Sequence, residues 1–303
     1  MQKEAISENW LEYEKLHGGR FCFHGSAEEI IQQVEQLVAK LTPPKPSTVA
    51  TDLQIEHVTV GGVPTRIYRP ILAQPNSSLP LCLFSHGGGF IAGSLDSEDG
   101  LCQWIARTTP CVVMSIDYRL GPTHKLPAMV EDVVSVFEVV SFSMQYPEEL
   151  NIDISQARRP ENGFVTEQTD IFAMGGSAGG ALSFALANYA CKDRQKHSNS
   201  LKGISGVVAL APVTVHPDNV PVQYRDMYTS YEETASDIPI MDAKAMWTYF
   251  EAVDAVPTDS SIFTILSPRL QHFPPTYIIT CGVDPLRDDG IAMAKALQNA
   301  GYE

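Results

Sequence analysis

Thr169-Asp170-Ile171-Phe172-Ala173-Met174-Gly175-Gly176-Ser177-Ala178-Gly179-Gly180 is the stretch on which the reading of this chain turns. Through Met174 it is an apolar run of strand length, and Ala181 to Tyr189 beyond it reads as a helix. The small residues between them allow a tight strand-to-helix turn that presents Ser177 at its apex. A serine hydroxyl is a weak nucleophile until an imidazole takes its proton and a carboxylate holds that imidazole. The bland alternative is a glycine-rich turn with an idle serine, so the surrounding sequence has to decide.

A second glycine cluster supports the chemical reading. His86-Gly87-Gly88-Gly89 follows Leu79 to Phe84, which reads as a buried strand. Consecutive glycines let backbone N–H groups converge on one point, as a developing oxyanion requires. His17-Gly18-Gly19 has no strand before it and reads as a plain turn. His86 itself is expected to shape its loop through hydrogen bonds and not to act in catalysis.

Elsewhere the pattern is that of an α/β protein. Ser26 to Glu29 is a capping box opening a helix with an Ile30, Ile31, Val34, Leu37, Val38, Leu41 stripe, which Pro43 to Pro46 ends. Leu53 to Val60 and Val63 to Arg69 meet at Gly61-Gly62 as a hairpin. Strand and helix patterns then alternate, which predicts a mainly parallel sheet with helices on both faces. Residues 213–260 break the alternation and are rich in aromatics and methionines, among them Tyr224, Tyr228, Tyr231, Trp247, Tyr249 and Phe250.

Composition excludes several classes. With 36 acidic against 21 basic residues the formal charge is −15, unsuited to nucleic acid or an anionic membrane surface. The six cysteines, at 22, 82, 102, 111, 191 and 281, show no C-x-x-C pairing and several lie in apolar strand readings, so they are expected to be reduced core residues. Met1 to Ala5 lacks the apolar core of a signal peptide and no run reaches membrane-span length, so a cytoplasmic location is expected.

These motifs together resemble the hormone-sensitive-lipase-like branch of the α/β-hydrolases from about residue 50 onward. The shared features are His86 to Gly89, Gly175 to Gly180, Asp117-Tyr118-Arg119-Leu120 through Ala128, and Asp284-Pro285-Leu286-Arg287-Asp288-Asp289-Gly290, in the family's order. Tyr231 to Pro239 looks like fungal esterases of polyketide pathways, the versiconal hemiacetal acetate esterase type. The resemblance implies an α/β-hydrolase core at residues 49–212 and 261–303. It also implies a helical cap built from residues 1–48 and the 213–260 insertion, closing over an apolar pocket for a small apolar or aromatic ester. It makes Ser177 the nucleophile, Asp284 the triad acid, and the N–H groups of Gly88, Gly89 and Ala178 the oxyanion hole of a carboxylic ester hydrolase that uses no metal or organic cofactor. Asp284 could instead serve only as a helix cap, and Asp288 and Asp289 are expected to be favourable charges at that helix's positive end.

Two departures stand out. Gly176 occupies the place of the family's usual acid before the serine, and no histidine follows Asp284, although the family's order puts one roughly 30 residues on. His216 follows a strand, which leaves open a place near the pocket mouth, although it reads first as a plain solvated loop residue, while His272 precedes its strand at the wrong end of the sheet. The 303 residues are therefore expected to lack a final strand and helix, to leave Tyr277 to Cys281 as a sheet edge, and to be nearly inactive. The alternative is a non-catalytic small-molecule-binding protein of the same fold, as plant gibberellin receptors are.

Overall fold

A computed structural model describes residues 6–41, 52–71, 79–145, 170–196, 203–236 and 238–301. The predicted helix stop at Pro43 to Pro46, Asp237 of the 231–239 stretch, and His197 lie outside the described residues.

Seven strands form one sheet: β1 (Leu53–Val60), β2 (Val63–Pro70), β3 (Leu81–Ser85), β4 (Val112–Ile116), β5 (Ile171–Gly176), β6 (Gly206–Leu210) and β7 (Thr276–Ile279). Their order across it is β1-β2-β4-β3-β5-β6-β7. β1 and β2 are the predicted hairpin, with both Gly61 and Gly62 at positive φ, the backbone that a two-residue loop between right-twisted strands demands. β2 meets β4 antiparallel, and the pairings from β4 across to β7 are all parallel. This is the α/β-hydrolase fold.

Both faces are covered where the sheet is parallel and central. Successive residues of β3 point to opposite sides, so Leu81 and Leu83 join one core with α4 (Ala128–Gln145) and α5 (Ala178–Lys196). Cys82 and Phe84 join another, with Cys102, Ile105 and Ala106 of α3 (Asp99–Thr108). Parallel strands open their C-terminal ends on one side, and there the chain leaves β3 for the glycine loop, β5 for Ser177 and β7 for Asp284.

The N-terminal part carries α1 (Glu8–Leu16) and α2 (Ala27–Leu41), the latter opened by reciprocal Ser26 and Glu29 hydrogen bonds of 2.8 and 3.3 Å. Residues 213–260 hold α6 (Ser230–Glu233) and α7 (Ala243–Ala252). A parallel bridge between Cys22 and Ile240 ties the two segments together, with Phe23 N–H donating to Ile240 O at 2.8 Å. α8 (Arg287–Asn299) follows β7.

Two expectations, that the cysteines are core residues and that the Tyr277 to Cys281 segment is covered on both faces, are corrected. Four cysteines are buried, but Cys22, on the isolated bridge to Ile240, is only half-buried, and Cys281, beyond the end of β7, is exposed. β7 is not covered on both faces: Tyr277 and Ile279 are 64% and 40% exposed, since among the described residues only β6 pairs with it and α8 packs over the Ile278 side. Asp288 and Asp289 stand in the first turn of α8, as the sequence suggests, and are buried there at 2% and 0% exposure. Among the described residues no helix is long and apolar enough to cross a membrane.

Candidate active site

The turn after β5 holds Ser177 at φ 53°, a left-handed conformation that costs a non-glycine residue on the order of 1 kcal/mol or more. Three backbone bonds hold it there. Ser177 N–H donates to Leu210 O at 2.8 Å, and Ser177 O accepts from Ala181 N–H at 3.1 Å and Val213 N–H at 3.4 Å. α5 starts at the next residue, Ala178, three residues before the predicted start, so the helix's first free N–H groups stand beside the serine. A Cβ on Gly179 would overlap the Ser85 carbonyl oxygen, which is why this turn packs directly on the end of β3.

The loop after β3 is as tightly built. Gly88, at φ 121°, has no room for a Cβ against Ala92 O, and a Cβ on Gly89 would sit 2.5 Å from the Tyr249 ring. His86 is completely buried beneath the loop, its Nδ1 2.7 Å from Gly87 O and its ring stacked on Tyr118 at 4.3 Å, and burial lowers its pKa. It shapes the loop as the sequence suggests. Among the described residues nothing accepts the N–H groups of Gly88, Gly89 or Ala178, so three donors remain available for a ligand oxygen.

Asp284 lies beyond β7. Its Oδ1 accepts from Leu286 N–H at 2.7 Å, a turn within the loop, while α8 itself starts at Arg287 without a side-chain cap. Burial raises the Asp284 pKa, opposed by that N–H.

A cavity of about 340 Å³ brings these pieces together: Gly87, Gly88, Gly89, Ser177 and Asp284 share it with Phe23, Val34, Val38, Ile240, Met241 and Tyr249. Residues from both the 1–48 and the 213–260 stretches thus contribute lining. Most of the aromatics of residues 213–260 do not reach the cavity. Trp247, Phe250 and Phe263 surround His216, which is 4% exposed, accepts from Asp218 N–H through Nδ1 at 3.2 Å, and has its pKa lowered by burial. His216 is therefore neither at the pocket mouth nor a solvated loop residue but is buried among aromatic side chains next to the main core. His272 lies before β7, at the opposite end from Asp284. No described residue lining the cavity is a histidine.

Sequence reasoning missed Glu98. It also lines the cavity, its Oε1 accepts from Gly87 N–H at 2.7 Å, and burial raises its pKa against that hydrogen bond. Its only sequence signal was an acid shortly after the glycine loop. Also missed was Arg66 on β2, whose buried guanidinium fixes the Glu98 loop by donating to Leu95 O, Asp96 and Asp99 at 2.8–3.0 Å.

Asp288 and Asp289 join the Asp284 loop to the rest. Asp288 Oδ2 accepts from Thr229 and Ser230 N–H, both at 2.7 Å, and Arg287 pairs with Asp288 and Glu233 at 2.8 Å. Asp289 Oδ1 accepts from Thr214 and Val215 N–H at 2.9 and 3.0 Å, and its Oδ2 from Tyr228 OH at 2.6 Å. Burial pushes the Asp289 carboxyl up to about 7 despite these three donors. For Asp288 burial acts in the same direction, but Arg287 and the two N–H groups outweigh it and hold the carboxyl below its ordinary range.

A strand-to-helix serine, a glycine loop of free N–H groups and a strand-end aspartate thus open on one cavity with largely apolar walls. Residues 82–303 match the family described as alpha/beta hydrolase fold, and the chain belongs to that family, in its hormone-sensitive-lipase-like branch. It is 34% identical to the versiconal hemiacetal acetate esterase of Dothistroma septosporum over 296 residues, 97% of this chain and 83% of that protein. It is 31% identical to Esterase LipI of Mycobacterium tuberculosis over 288 residues, 92% and 79% of the two chains. Among solved structures, the hyperthermophilic esterase from the archaeon Pyrobaculum calidifontis superposes with a TM-score of 0.70 at 25% identity, covering 99% of this chain and 87% of that one.

Proposed function

We propose that this protein is a carboxylic ester hydrolase acting through an acyl-serine intermediate on a small apolar or aromatic ester. The observation that carries the reading is the convergence of a strained Ser177, unoccupied N–H donors and Asp284 on one cavity. Ser177 Oγ attacks the ester carbonyl, and the N–H groups of Gly88, Gly89 and Ala178 receive the oxyanion. The tetrahedral adduct then expels the alcohol, and water releases the acid from the acyl-serine. Proton transfer from Ser177 and to the departing alcohol calls for an imidazole, which Asp284 would orient and charge-stabilise. The relatives' names and the Tyr231 to Pro239 stretch support a substrate from fungal secondary metabolism, and the buried free cysteines suit a cytoplasmic setting.

Because no described cavity residue is a histidine, both acylation and deacylation by these 303 residues are slow in this reading. Removing the histidine of a comparable triad costs on the order of 10⁶ in kcat. The same observation favours a second reading, a binding protein that uses the cavity without turnover. Added imidazole separates the two, since a diffusible base can enter beside Ser177. With p-nitrophenyl acetate, imidazole should raise turnover above its own background, and Ser177→Ala should abolish the increment. An increment that survives in Ser177→Ala would remove the serine from the reaction, and no increment in either protein would favour the binding reading.

A further inference from the structure

Resting on the ester-binding role just proposed for the cavity, we infer that Glu98 selects the substrate: the preferred ester carries a hydroxyl or similar hydrogen-bond donor that meets the Glu98 carboxylate. Glu98 faces two ways. Oε1 takes the Gly87 N–H at 2.7 Å and so steadies the first peptide of the glycine loop, while among the described residues no group donates to its second oxygen. The nearby Arg66 is committed to Asp96, Asp99 and Leu95 O and does not pair with Glu98.

The rest of the lining sharpens the requirement. Glu98 and Asp284 are the charged groups among the described lining residues, with no lysine, arginine or histidine to balance them, and Phe23, Val34, Val38 and Ile240 supply apolar walls. A carboxylate oxygen that water reaches in the empty cavity loses that water when an ester fills it. A ligand with an O–H or N–H in reach replaces the lost bond, and one without leaves the oxygen unsatisfied, a difference of about tenfold or more in affinity. The two carboxyls on the cavity wall also disfavour an anionic acyl group, so the ester is neutral or cationic.

The test uses equilibrium binding to Ser177→Ala protein, which holds esters without acylation. Dissociation constants are measured by calorimetry at about pH 8, where an ordinary carboxyl is ionised, for the ortho, meta and para hydroxyphenyl acetates and their methoxy counterparts. With Glu98 present, at least one hydroxyl isomer should bind about tenfold tighter than its methoxy partner. In Ser177→Ala/Glu98→Gln that ratio should fall to near one, because the amide oxygen still serves Gly87 N–H while its NH₂ now offers a donor, which a methoxy oxygen accepts. If Glu98 only holds the loop, the glutamine preserves that role and the ratio stays unchanged, which overturns the proposal. Equal affinities within every pair before Glu98 is altered, or no binding by any isomer, overturn it without the glutamine variant. Failure to detect an acyl-serine in the parent protein alongside an intact ratio would defeat the esterase reading and leave donor selection standing.

Discussion

The two halves of the candidate site are held by different means. Ser177 and the glycine loop leave the centre of the sheet, from β5 and β3, and are fixed by backbone packed against backbone: Gly179 on Ser85 O, Gly88 on Ala92 O, Ser177 N–H on Leu210 O. Asp284 hangs from β7, an edge strand among the described residues, with Tyr277 and Ile279 open on one face. Its loop is secured by side chains, through Asp288, Asp289 and Arg287 reaching into residues 214–233. Close backbone packing leaves no freedom for substitution, whereas a side-chain clamp gives a graded, pH-sensitive hold.

The largest expected effect lies on the rigid side. Gly179→Ala places a methyl group into the Ser85 carbonyl, backbone that cannot turn aside, and should lower stability by more than about 4 kcal/mol or prevent folding. Urea denaturation reads this, and a loss under about 1 kcal/mol would mean that the turn is not packed as described.

On the clamped side, Asp288→Ala leaves the Thr229 and Ser230 N–H groups without an acceptor and Arg287 without its buried partner. A loss of about 3 kcal/mol is expected in the same measurement. Asp289→Asn should cost less, about 1–2 kcal/mol, because an amide oxygen still accepts from Thr214 and Val215. Its signature is the pH dependence. The folded carboxyl near 7 lies above the ordinary unfolded value, so its contribution to stability is fully present below about pH 4 and is lost as pH rises through about 7. The stability difference between parent and Asp289→Asn should therefore shrink as pH rises from about 5 to about 8. A constant difference would show that Asp289 does not titrate there.

The contrast between the halves also explains what the sequence disclosed. The Ser177 turn, the glycine loop and the Gly61-Gly62 hairpin were legible because their geometry needs small residues at fixed positions, and such residues mark themselves. Asp284 was legible through its motif. The clamp was not, because an aspartate in a helix's first turn looks the same whether it meets solvent or the N–H groups of a segment some 60 residues away, as Asp288 does. His216 failed for a related reason: its burial is decided by Trp247, Phe250 and Phe263, none of them its sequence neighbours. Glu98 carried only the weak signal of an acid shortly after the glycine loop, and its place in the cavity lining is what singles it out.

The smallest expected effect sits in the rigid half and marks its limit. A Cβ on Gly176 would find its nearest neighbour, Leu210 O, at 3.8 Å, and this residue is not in a left-handed conformation. Gly176→Ala should change stability by less than about 1 kcal/mol, with a gain expected from the stiffer unfolded chain. A larger loss by thermal melt would mean that the serine turn tolerates nothing even where the space is open.

The central claim is that Ser177 is the nucleophile, and covalent capture tests it most directly. Without a histidine among the cavity's described residues, the acyl-serine should break down slowly once formed, so it should accumulate over prolonged incubation with p-nitrophenyl acetate. Peptide mapping by mass spectrometry after acid quench should then find an acetyl group on Ser177, absent from that peptide in Ser177→Ala. Acetylation confined to lysines or other surface groups, unchanged by Ser177→Ala, would contradict the account.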